Sequence, residues 1–486
     1  MQFSILHISD LHRDLNDEIN NDWLIDSLTR DIEQFPGQSP AILKPSLSIV
    51  SGDVVYGVKP DTHDAAVELT RQYTQAENFL ISLADRLFAG IRDRIVLLPG
   101  NHDVSYDDVM RSVQRIDIPA DPKSKEALVA ELLLPNSRLR WSWRELCFYK
   151  ITDEVRYRSR INYFAKMYES FYQNRRKYPL EPERQYDLFD FPDLAFSVVA
   201  LNSCYNNDPL HPAGAFQPAA LTQACRDISH ADRIGWLTAA TWHHNINGGP
   251  AQDNYLDDEF LQLLIDAGVS LGFHGHQHSP DCFDERYRLG PKPRKMTMIS
   301  ANTLCANQRN LSPGVPRSYN VVEIDTDAWT GRVHQRHMVN KLYSMPVWGP
   351  GHFDITNLSY ADFELCKPLS ERPAELDVQI LLDNAEKLLG LHKWGEAADV
   401  LEKIKNASLA GPLLVKALGE LGDARRTRTA LWPPMTNAEV VTVGGAILED
   451  GTRDVAESFV RLDIVAQSED ASVGEIARRI RERWLK

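Results

Sequence analysis

The sequence LLPGNHDVS, residues 97–105, joins an apolar run to four residues of distinct chemistry. Gly100, Asn101, His102 and Asp103 stand side by side where a short strand is expected to end. A turn residue, a neutral amide, an imidazole and a carboxylate in succession raise the question of which chemistry needs all four. The residues at the other predicted strand ends indicate that chemistry, and the composition limits the class of protein.

The composition predicts a folded protein of more than one domain. The chain has 486 residues, 43% of them hydrophobic, which is enough for two or three domains with separate cores. A formal net charge of -15 argues against a surface that attracts nucleic acid as a whole, while leaving room for a local basic patch. Net charge bears on solubility here and does not identify a function.

The cysteines and the apolar segments bear on the cellular compartment in which the protein is expected. Six scattered cysteines contain no CxxC pair, so neither a disulfide framework nor a thiolate zinc site is expected. The first residues, MQFSILHISDLHRD, become charged too early for a secretory signal, and no apolar run is long enough to span a membrane. We therefore expect a cytoplasmic protein without membrane segments.

Short apolar runs alternate with helical patterns along the first part of the chain. In residues 63–88 apolar side chains recur every three or four positions, which predicts a helix. This order indicates an α/β fold in which helices cover a sheet, and ligands then gather at the carboxyl ends of the strands. The predicted strands are Phe3 to Ile8, Leu47 to Val50, Ile95 to Leu98, Phe196 to Leu201, Ile234 to Thr241 and Val269 to Phe273.

Five polar clusters follow these apolar runs. One such cluster alone is weak, because a histidine after a strand is usually structural and Gly-Asp is a common turn. Five together make chance improbable, and carboxylates with imidazoles but no thiolates suit Mn²⁺, Fe or Zn²⁺ in a site that is not purely structural. The clusters are SDLH (Asp10, His12), SGDVV (Gly52, Asp53), PGNHD (Asn101, His102), TWHHN (His243, His244) and FHGHQH (His274, His276, His278).

The order D-x-H, GD, GNHD, a later His and GHxH resembles the signature of the calcineurin-like metallophosphoesterases. The match spans residues 10 to 278. It implies a two-sheet sandwich flanked by helices that holds two divalent metal ions, with Mn²⁺ expected first and Fe, Zn²⁺ or Ni²⁺ as alternatives. A hydroxide shared by the two ions would then attack the phosphorus atom.

The resemblance also assigns roles to residues. It implies one metal site formed by Asp10, His12 and His278, a second formed by Asn101, His243 and His276, and Asp53 as the bridge between them. His243 is preferred to His244 because the family's ligand is usually the first histidine of the pair. His102 is then a catalytic residue that, with Asn101, contacts the substrate, and Asp103 is expected to hydrogen-bond the loop backbone.

Motifs that differ between branches of this family narrow the expected type of phosphoesterase. The chain lacks the GDxxDRG motif of protein Ser/Thr phosphatases, and SGDVVYG with GNHD looks more like bacterial cyclic-nucleotide phosphodiesterases and SbcD-type nucleases. The leading hypothesis is a two-metal phosphodiesterase acting on a nucleotide or nucleic acid. The alternatives are a phosphomonoesterase or nucleotide pyrophosphatase, and an effector whose metal site is regulated by a partner.

A long insertion, about residues 106–192, bears on the substrate. From Arg138 to Gln185 it carries twelve Lys or Arg against six Asp or Glu, and ten aromatic residues lie between Trp141 and Tyr172. Cations and aromatic faces suit a nucleotide or single-stranded nucleic acid. Equally, the aromatics could form the core of a helical cap, with its cations solvated or paired.

The sequence predicts that the whole chain divides into three parts. The predicted catalytic domain covers residues 1–345 and closes with a hairpin that turns at Thr330 and Gly331. Residues 346–373 are expected to be a linker. Residues 374–486 are expected to form a helical domain for protein partners, regulation or self-association, with a helical hairpin that breaks at 390–395 and further helices at 438–449, 453–466 and 472–484.

Overall fold

The protein is described from a computed structural model. It describes residues 1–421 apart from 60–61, 135–136, 247–255, 257–258, 288–293, 309–310, 312–313, 341–344, 354–357, 369–373 and 405–409. The chain divides into two compact units, Met1–Arg372 and Pro373–Lys486. No helix among the described residues is both long enough and apolar enough to cross a membrane.

Strands and helices alternate through most of the first unit. The strands are β1 (Gln2–Ile8), β2 (Leu47–Val50), β3 (Ile95–Leu97), β4 (Val113–Ile116), β5 (Leu139–Ser142), β6 (Cys147–Ile151), β7 (Tyr186–Phe191), β8 (Phe196–Leu201), β9 (Leu237–Thr241), β10 (Leu271–His274), β11 (Asp281–Tyr287), β12 (Arg294–Ser300), β13 (Ser318–Asp325), β14 (Thr330–Met338), β15 (Trp348–Pro350) and β16 (Tyr360–Glu364). The helices are α1 (Asn21–Glu33), α2 (Ala65–Leu87), α3 (Tyr106–Ser112), α4 (Pro122–Leu132), α5 (Glu154–Arg158), α6 (Asn162–Phe171), α7 (Pro218–Ile228), α8 (Glu259–Asp266), α9 (Ala374–Gly390), α10 (Trp394–Glu402) and α11 (Ala410–Glu420).

Two large sheets are formed by the described strands. The first has the order β15-β14-β13-β1-β2-β3, with β16 also paired to β14, and the second has the order β11-β12-β10-β9-β8-β7. The central strands β1, β2 and β3 are parallel, as are β8, β9, β10 and β12. Parallel strands end at the same edge, so each sheet presents a row of carboxyl ends.

The two sheets pack face to face. Phe3 of β1 lies against Phe196 of β8 with their ring centroids 5.3 Å apart, and His7 contacts Phe273 of β10 at 5.1 Å. All residues of β2 and β8 are buried, which explains why these strands read as continuous apolar runs. Helices lie outside, with α7 against β7 and β8, and α8 against β12. The α/β sandwich predicted from the sequence is therefore confirmed.

Two features differ from the expected organisation. The segment expected to be a linker, 346–373, contributes β15 and β16 to the first sheet, and the indole of Trp348 donates a hydrogen bond to Ser27 of α1. The strand expected from Ile234 begins only at Leu237, because Gly235 has a φ of +83° that breaks the extended backbone.

The insertion contains a small sheet of its own, β4-β6-β5, together with α4, α5 and α6. Its last part, β7, pairs with β8 and so belongs to the second large sheet. Tyr157, Phe164, Tyr168 and Phe171 are buried in the main core, so these rings are not free to stack on bases.

Many cations of the insertion are paired. Arg140 binds Asp208, and Arg176 binds both Asp93 and Asp187. For these residues the structure favours the interpretation of a structural cap over that of a nucleic-acid surface.

The second unit is helical where it is described. Helices α9 and α10 form a hairpin that breaks after Gly390, and α11 packs on α10. Small residues at the contact, including Ala385, Ala397 and Ala398, are fully buried and let the helix backbones approach closely. The helices predicted at 438–449, 453–466 and 472–484 lie outside the described residues.

Candidate metal centre and catalytic cavity

The predicted ligands meet at the edge where strands of both sheets end. Asp10 and His12 follow β1, Asp53 follows β2, and Asn101 and His102 follow β3. From the second sheet, His243 follows β9, while His276 and His278 follow β10. Residues more than 260 positions apart in the chain thus come within hydrogen-bond distance of each other.

One group of donors consists of Asp10, His12 and His278. The Nε2 atom of His278 lies 3.1 Å from Oδ1 of Asp10 and 3.1 Å from Nε2 of His12. The Nε2 atom of His12 lies 3.6 Å from the same carboxylate oxygen. Three donor atoms on three separate segments therefore converge on one point.

A second group consists of Asn101, His243 and His276. The amide oxygen of Asn101 lies 3.0 Å from Nε2 of His243 and 2.9 Å from Nδ1 of His276. The two imidazole nitrogens are 3.3 Å apart. The neutral oxygen thus lies beside two nitrogen donors, an arrangement compatible with the ligand role predicted for Asn101.

Asp53 lies between the two groups. Its Oδ2 atom is 3.2 Å from Nε2 of His243 and 3.8 Å from Nε2 of His12. Its other oxygen, Oδ1, accepts a hydrogen bond of 2.8 Å from the backbone N–H of His102. One carboxylate oxygen can therefore serve both groups while the other fixes the orientation of the side chain.

The backbone of the cluster is strained. Five of its residues have left-handed φ values between +45° and +74°, a conformation that costs free energy for residues with a Cβ. Strain of this kind clusters at functional sites, where the surrounding fold enforces it. The five residues are Asp10, His12, Asp53, His276 and His278.

Glycines let other backbone segments approach these carboxylates. A Cβ on Gly100 would lie 2.1 Å from Oδ1 of Asp53, and a Cβ on Gly275 would lie 2.5 Å from Oδ2 of Asp10. Neither distance is possible between unbonded atoms, so both positions need glycine. The glycine of GNHD therefore does more than permit a turn, because it makes space for Asp53.

Burial and charge together shape the electrostatics. Burial alone raises the pKa of Asp10 and Asp53, but the nearby imidazoles of His278 and His243 outweigh it and lower both pKa values. Burial also lowers the pKa of His243, yet the carboxylate of Asp53 raises it to about 9. Two ionised carboxylates in a buried pocket require positive charge beside them.

His243 and His244 have different surroundings. His243 faces the cluster, and its Nδ1 donates a hydrogen bond of 2.8 Å to the carbonyl of Ser51, which orients Nε2 towards Asp53. His244 instead bonds Ser203 through Nδ1 and Asn207 through Nε2. Both ring nitrogens of His244 are thus occupied by protein groups.

His102 and Asp103 complete the GNHD loop. Nδ1 of His102 lies 2.6 Å from the carbonyl of Tyr56, so the Nδ1–H donates there and Nε2 is left for other chemistry. His102 also lies close enough to His12 and Asp53 to form a third group of possible ligands. Asp103 accepts hydrogen bonds from the backbone of Gly100 and Val54, and burial, followed by the charge of Asp53, raises its pKa to about 7.

The donor set fits divalent cations. Carboxylate, amide oxygen and imidazole are the ligands that Mn²⁺, Fe and Zn²⁺ accept. The donor atoms converge on one another within 2.9 to 3.8 Å in two groups joined by Asp53. The side chains present would therefore hold two cations, with Asp10, His12 and His278 around one and Asn101, His243 and His276 around the other.

Comparison with known proteins decides the family. The sequence profile described as calcineurin-like phosphoesterase matches residues 3–280, more than half of the chain. The chain belongs to the calcineurin-like phosphoesterase family. As a calcineurin-like phosphoesterase it is a metal-dependent hydrolase of phosphate esters, and its clustered Asp and His residues could hold the divalent metal ions of such an enzyme.

Other comparisons add little to this assignment. None of the curated proteins compared with this phosphoesterase matches it. Among solved structures, the chain is similar to "GAP50 the anchor in the inner membrane complex of Plasmodium", with 11% identity and a TM-score of 0.34. That alignment covers 78% of this chain and 94% of the other.

A cavity of about 340 Å³ opens beside the metal centre of this phosphoesterase. Asn101, His102 and His276 line one side of it. Tyr56, Lys59, Tyr106 and Asp208 line other parts of the wall. The sequence patterns assigned no site role to these last four residues. Tyr56 directly follows the SGDVV cluster and Lys59 lies three residues beyond Tyr56, so their position after a strand end was a usable signal.

Asp208 reaches this cavity through a buried network. Arg140 of the insertion donates through Nε to Oδ2 of Asp208 at 2.6 Å, and the hydroxyl of Tyr157 donates to the same oxygen at 2.7 Å. The side-chain amide of the neighbouring Asn207 hydrogen-bonds Nε2 of His244 at 3.2 Å. The insertion therefore fixes one wall of the catalytic cavity, a long-range contact that no local sequence pattern reveals.

Proposed function

We propose that this phosphoesterase hydrolyses phosphodiesters of nucleotides or nucleic acid, with Mn²⁺ as its metal. The observation that carries the proposal is the charge of the catalytic cavity. Among the described residues that line it, Lys59 is the single lysine or arginine. The charge of bound metal cations would act on both classes of ester, so the difference lies in what the lining adds. A phosphomonoester brings about two negative charges at neutral pH and a diester brings one, and a lining that adds one lysine matches the diester better.

The size of the cavity agrees with this substrate class. A volume of about 340 Å³ falls within the range of roughly 300–1,000 Å³ that small-molecule sites occupy. Tyr56, Val104 and Pro212 provide apolar wall beside the polar groups. A diester needs such surface for the ester groups on either side of its phosphorus atom.

The chemistry divides between the bound cations and the side chains. When bound, two divalent cations act as Lewis acids on the phosphate ester and on its water nucleophile. Asp53 holds the two ligand groups together, since one of its oxygens reaches both. Asn101 and His102 line the cavity beside them and would orient the phosphate.

His102 is placed to move a proton. Its Nδ1–H donates to the carbonyl of Tyr56, which fixes the ring, so that in the imidazolium form the proton on Nε2 can pass to the departing oxygen. The same protonated ring would stabilise the charge that develops on the phosphate oxygens. We propose His102 as general acid on this geometry.

A matched panel of substrates tests the proposal. Bis-nitrophenyl phosphate, mono-nitrophenyl phosphate, cyclic nucleotides, and single- and double-stranded DNA and RNA are incubated with Mn²⁺, with Asp53→Asn as the blank. Cleavage of diesters that disappears in the blank supports the proposal. Cleavage of monoesters alone would overturn it in favour of a phosphomonoesterase or pyrophosphatase, and no cleavage at all would favour an effector that needs a partner.

A further inference from the structure

A second cavity of about 400 Å³ lies next to the catalytic cavity. The two share part of their lining, namely Val58, Lys59 and Tyr106. Lys59 therefore stands at the border, where a molecule bound over the metal centre would extend into the second space. The remaining lining comes largely from α2, α3 and the β5–β6 turn of the insertion.

The second cavity carries two cations without acidic partners. Neither Lys59 nor Arg144 forms an ion pair with any residue in the described part of the chain, and both side chains are exposed. This contrasts with Arg140 and Arg176 of the same insertion, which are paired with carboxylates. Unpaired cations at a cavity wall are available to a bound anion.

The acids at this cavity already have cationic partners outside its lining. Asp107 accepts a hydrogen bond of 2.8 Å from Nε of Arg111, and Glu145 lies 3.0 Å from NH1 of Arg115. Lys59 and Arg144 are then the two cations of the lining that no carboxylate of the described residues holds. An anion entering it would meet two cations and no unpaired carboxylate among the described lining residues.

The walls between these charges are apolar and aromatic. Leu69 and Met110 contribute aliphatic surface, and Tyr163 contributes a ring. Tyr163 lies parallel to the buried Tyr73, with an interplanar angle of 7° and a centroid distance of 6.5 Å, and this contact favours its present orientation. An aromatic ring beside apolar surface and two cations is the combination that binds a base together with a phosphate.

We propose that the second cavity binds the nucleoside half of an extended diester, with Arg144 contacting a further phosphate of that substrate. This inference rests on the phosphodiesterase activity proposed above and makes it more specific. The scissile phosphate lies over the metal centre, Lys59 faces the junction, and the adjoining nucleoside packs against Met110 and Tyr163. The preferred substrate is thus an oligonucleotide end that bears an additional phosphate.

Dinucleotides provide the test. The values of kcat/KM are measured with Mn²⁺ for thymidine dinucleotide without a terminal phosphate and with one at either end, each divided by the same enzyme's value on bis-nitrophenyl phosphate. We expect the wild type to prefer one phosphorylated form about fivefold, the scale of one exposed charge contact. Arg144→Gln should bring this preference to about one, and Arg144→Glu should bring it below one.

The matched control is Lys123→Gln, which removes an exposed cation of the same insertion that lines neither cavity. It should keep the fivefold preference. The second-cavity inference would be overturned by a wild-type preference of one, or by a preference that survives in Arg144→Gln. In either case, cleavage of bis-nitrophenyl phosphate would still support the proposed phosphodiesterase activity. If bis-nitrophenyl phosphate itself is not cleaved, both proposals fail.

Discussion

The Oδ2 atom of Asp53 lies 3.2 Å from Nε2 of His243. Asp53 follows β2 of the first sheet and His243 follows β9 of the second, so this pair joins the two halves of the sandwich. The metal centre consequently exists only when the sheets have packed against each other. Binding of cations and stability of the fold are therefore coupled.

Asp53→Asn should weaken binding of both cations. The substitution removes the charge that both ligand groups share, and loss of even an outer partner of a metal ligand costs about 10- to 100-fold in affinity. We expect at least that loss, measured by metal content after dialysis. Mn²⁺ should also raise the unfolding temperature of the wild type and not that of the variant. Asp85→Asn, on the exposed side of α2, is the control and should behave as wild type.

His102→Ala should keep the cations and lose turnover. A positioned general acid contributes roughly 10²- to 10⁴-fold, so kcat should fall by that amount for esters with poor leaving groups and much less for nitrophenyl esters. The check is a series of aryl phosphodiesters of increasing leaving-group pKa, with added imidazole as chemical rescue. If the purified variant lacks metal, His102 acts as a ligand and the assigned role is wrong.

Gly100→Ala should disrupt the site without touching a ligand. The added Cβ would need to occupy space 2.1 Å from Oδ1 of Asp53 and 2.5 Å from its backbone nitrogen. We expect a stability loss of about 1–3 kcal/mol and a lower affinity for Mn²⁺, measured by denaturant unfolding and by calorimetric titration. Gly37→Ala is the matched control, because nothing lies within 4 Å of its Cβ. Equal behaviour of the two variants would refute this explanation.

Arg140→Met should destabilise the first unit and impair catalysis together. It leaves the buried Asp208 without its cation, and breaking a buried pair from one side costs about 3–5 kcal/mol. Because Asp208 lines the catalytic cavity, KM should rise as well. Arg86→Met breaks the exposed pair with Asp26 and should cost less than about 1 kcal/mol. Denaturant midpoints followed by tryptophan fluorescence compare the two variants.

Local patterns predicted the elements that surround the site. The continuous apolar runs of β1, β2, β3 and β8, and the helical face of α2, were apparent in the sequence because both depend on neighbouring residues alone. The candidate ligand residues could be named because each comes shortly after such a run. The distances between these side chains could not be predicted, because they depend on how the two sheets pack.

Elements defined by distant partners were not predicted. β7, β11 and β12 are strands because of their pairing with β8 and with each other, and the segment expected to be a linker becomes β15 and β16 by pairing with β14. The same holds for the catalytic cavity. Asp208 is positioned by Arg140, which lies 68 residues away in the sequence. The sequence around neither residue indicates this contact.

The central claim is that Asp53 bridges two cations, and anomalous diffraction from crystals grown with Mn²⁺ tests it most directly. We predict two anomalous peaks per chain, one among Asp10, His12 and His278 and the other among Asn101, His243 and His276, with the carboxylate of Asp53 coordinating both. A single peak, or two peaks of which Asp53 contacts one or neither, would contradict the account.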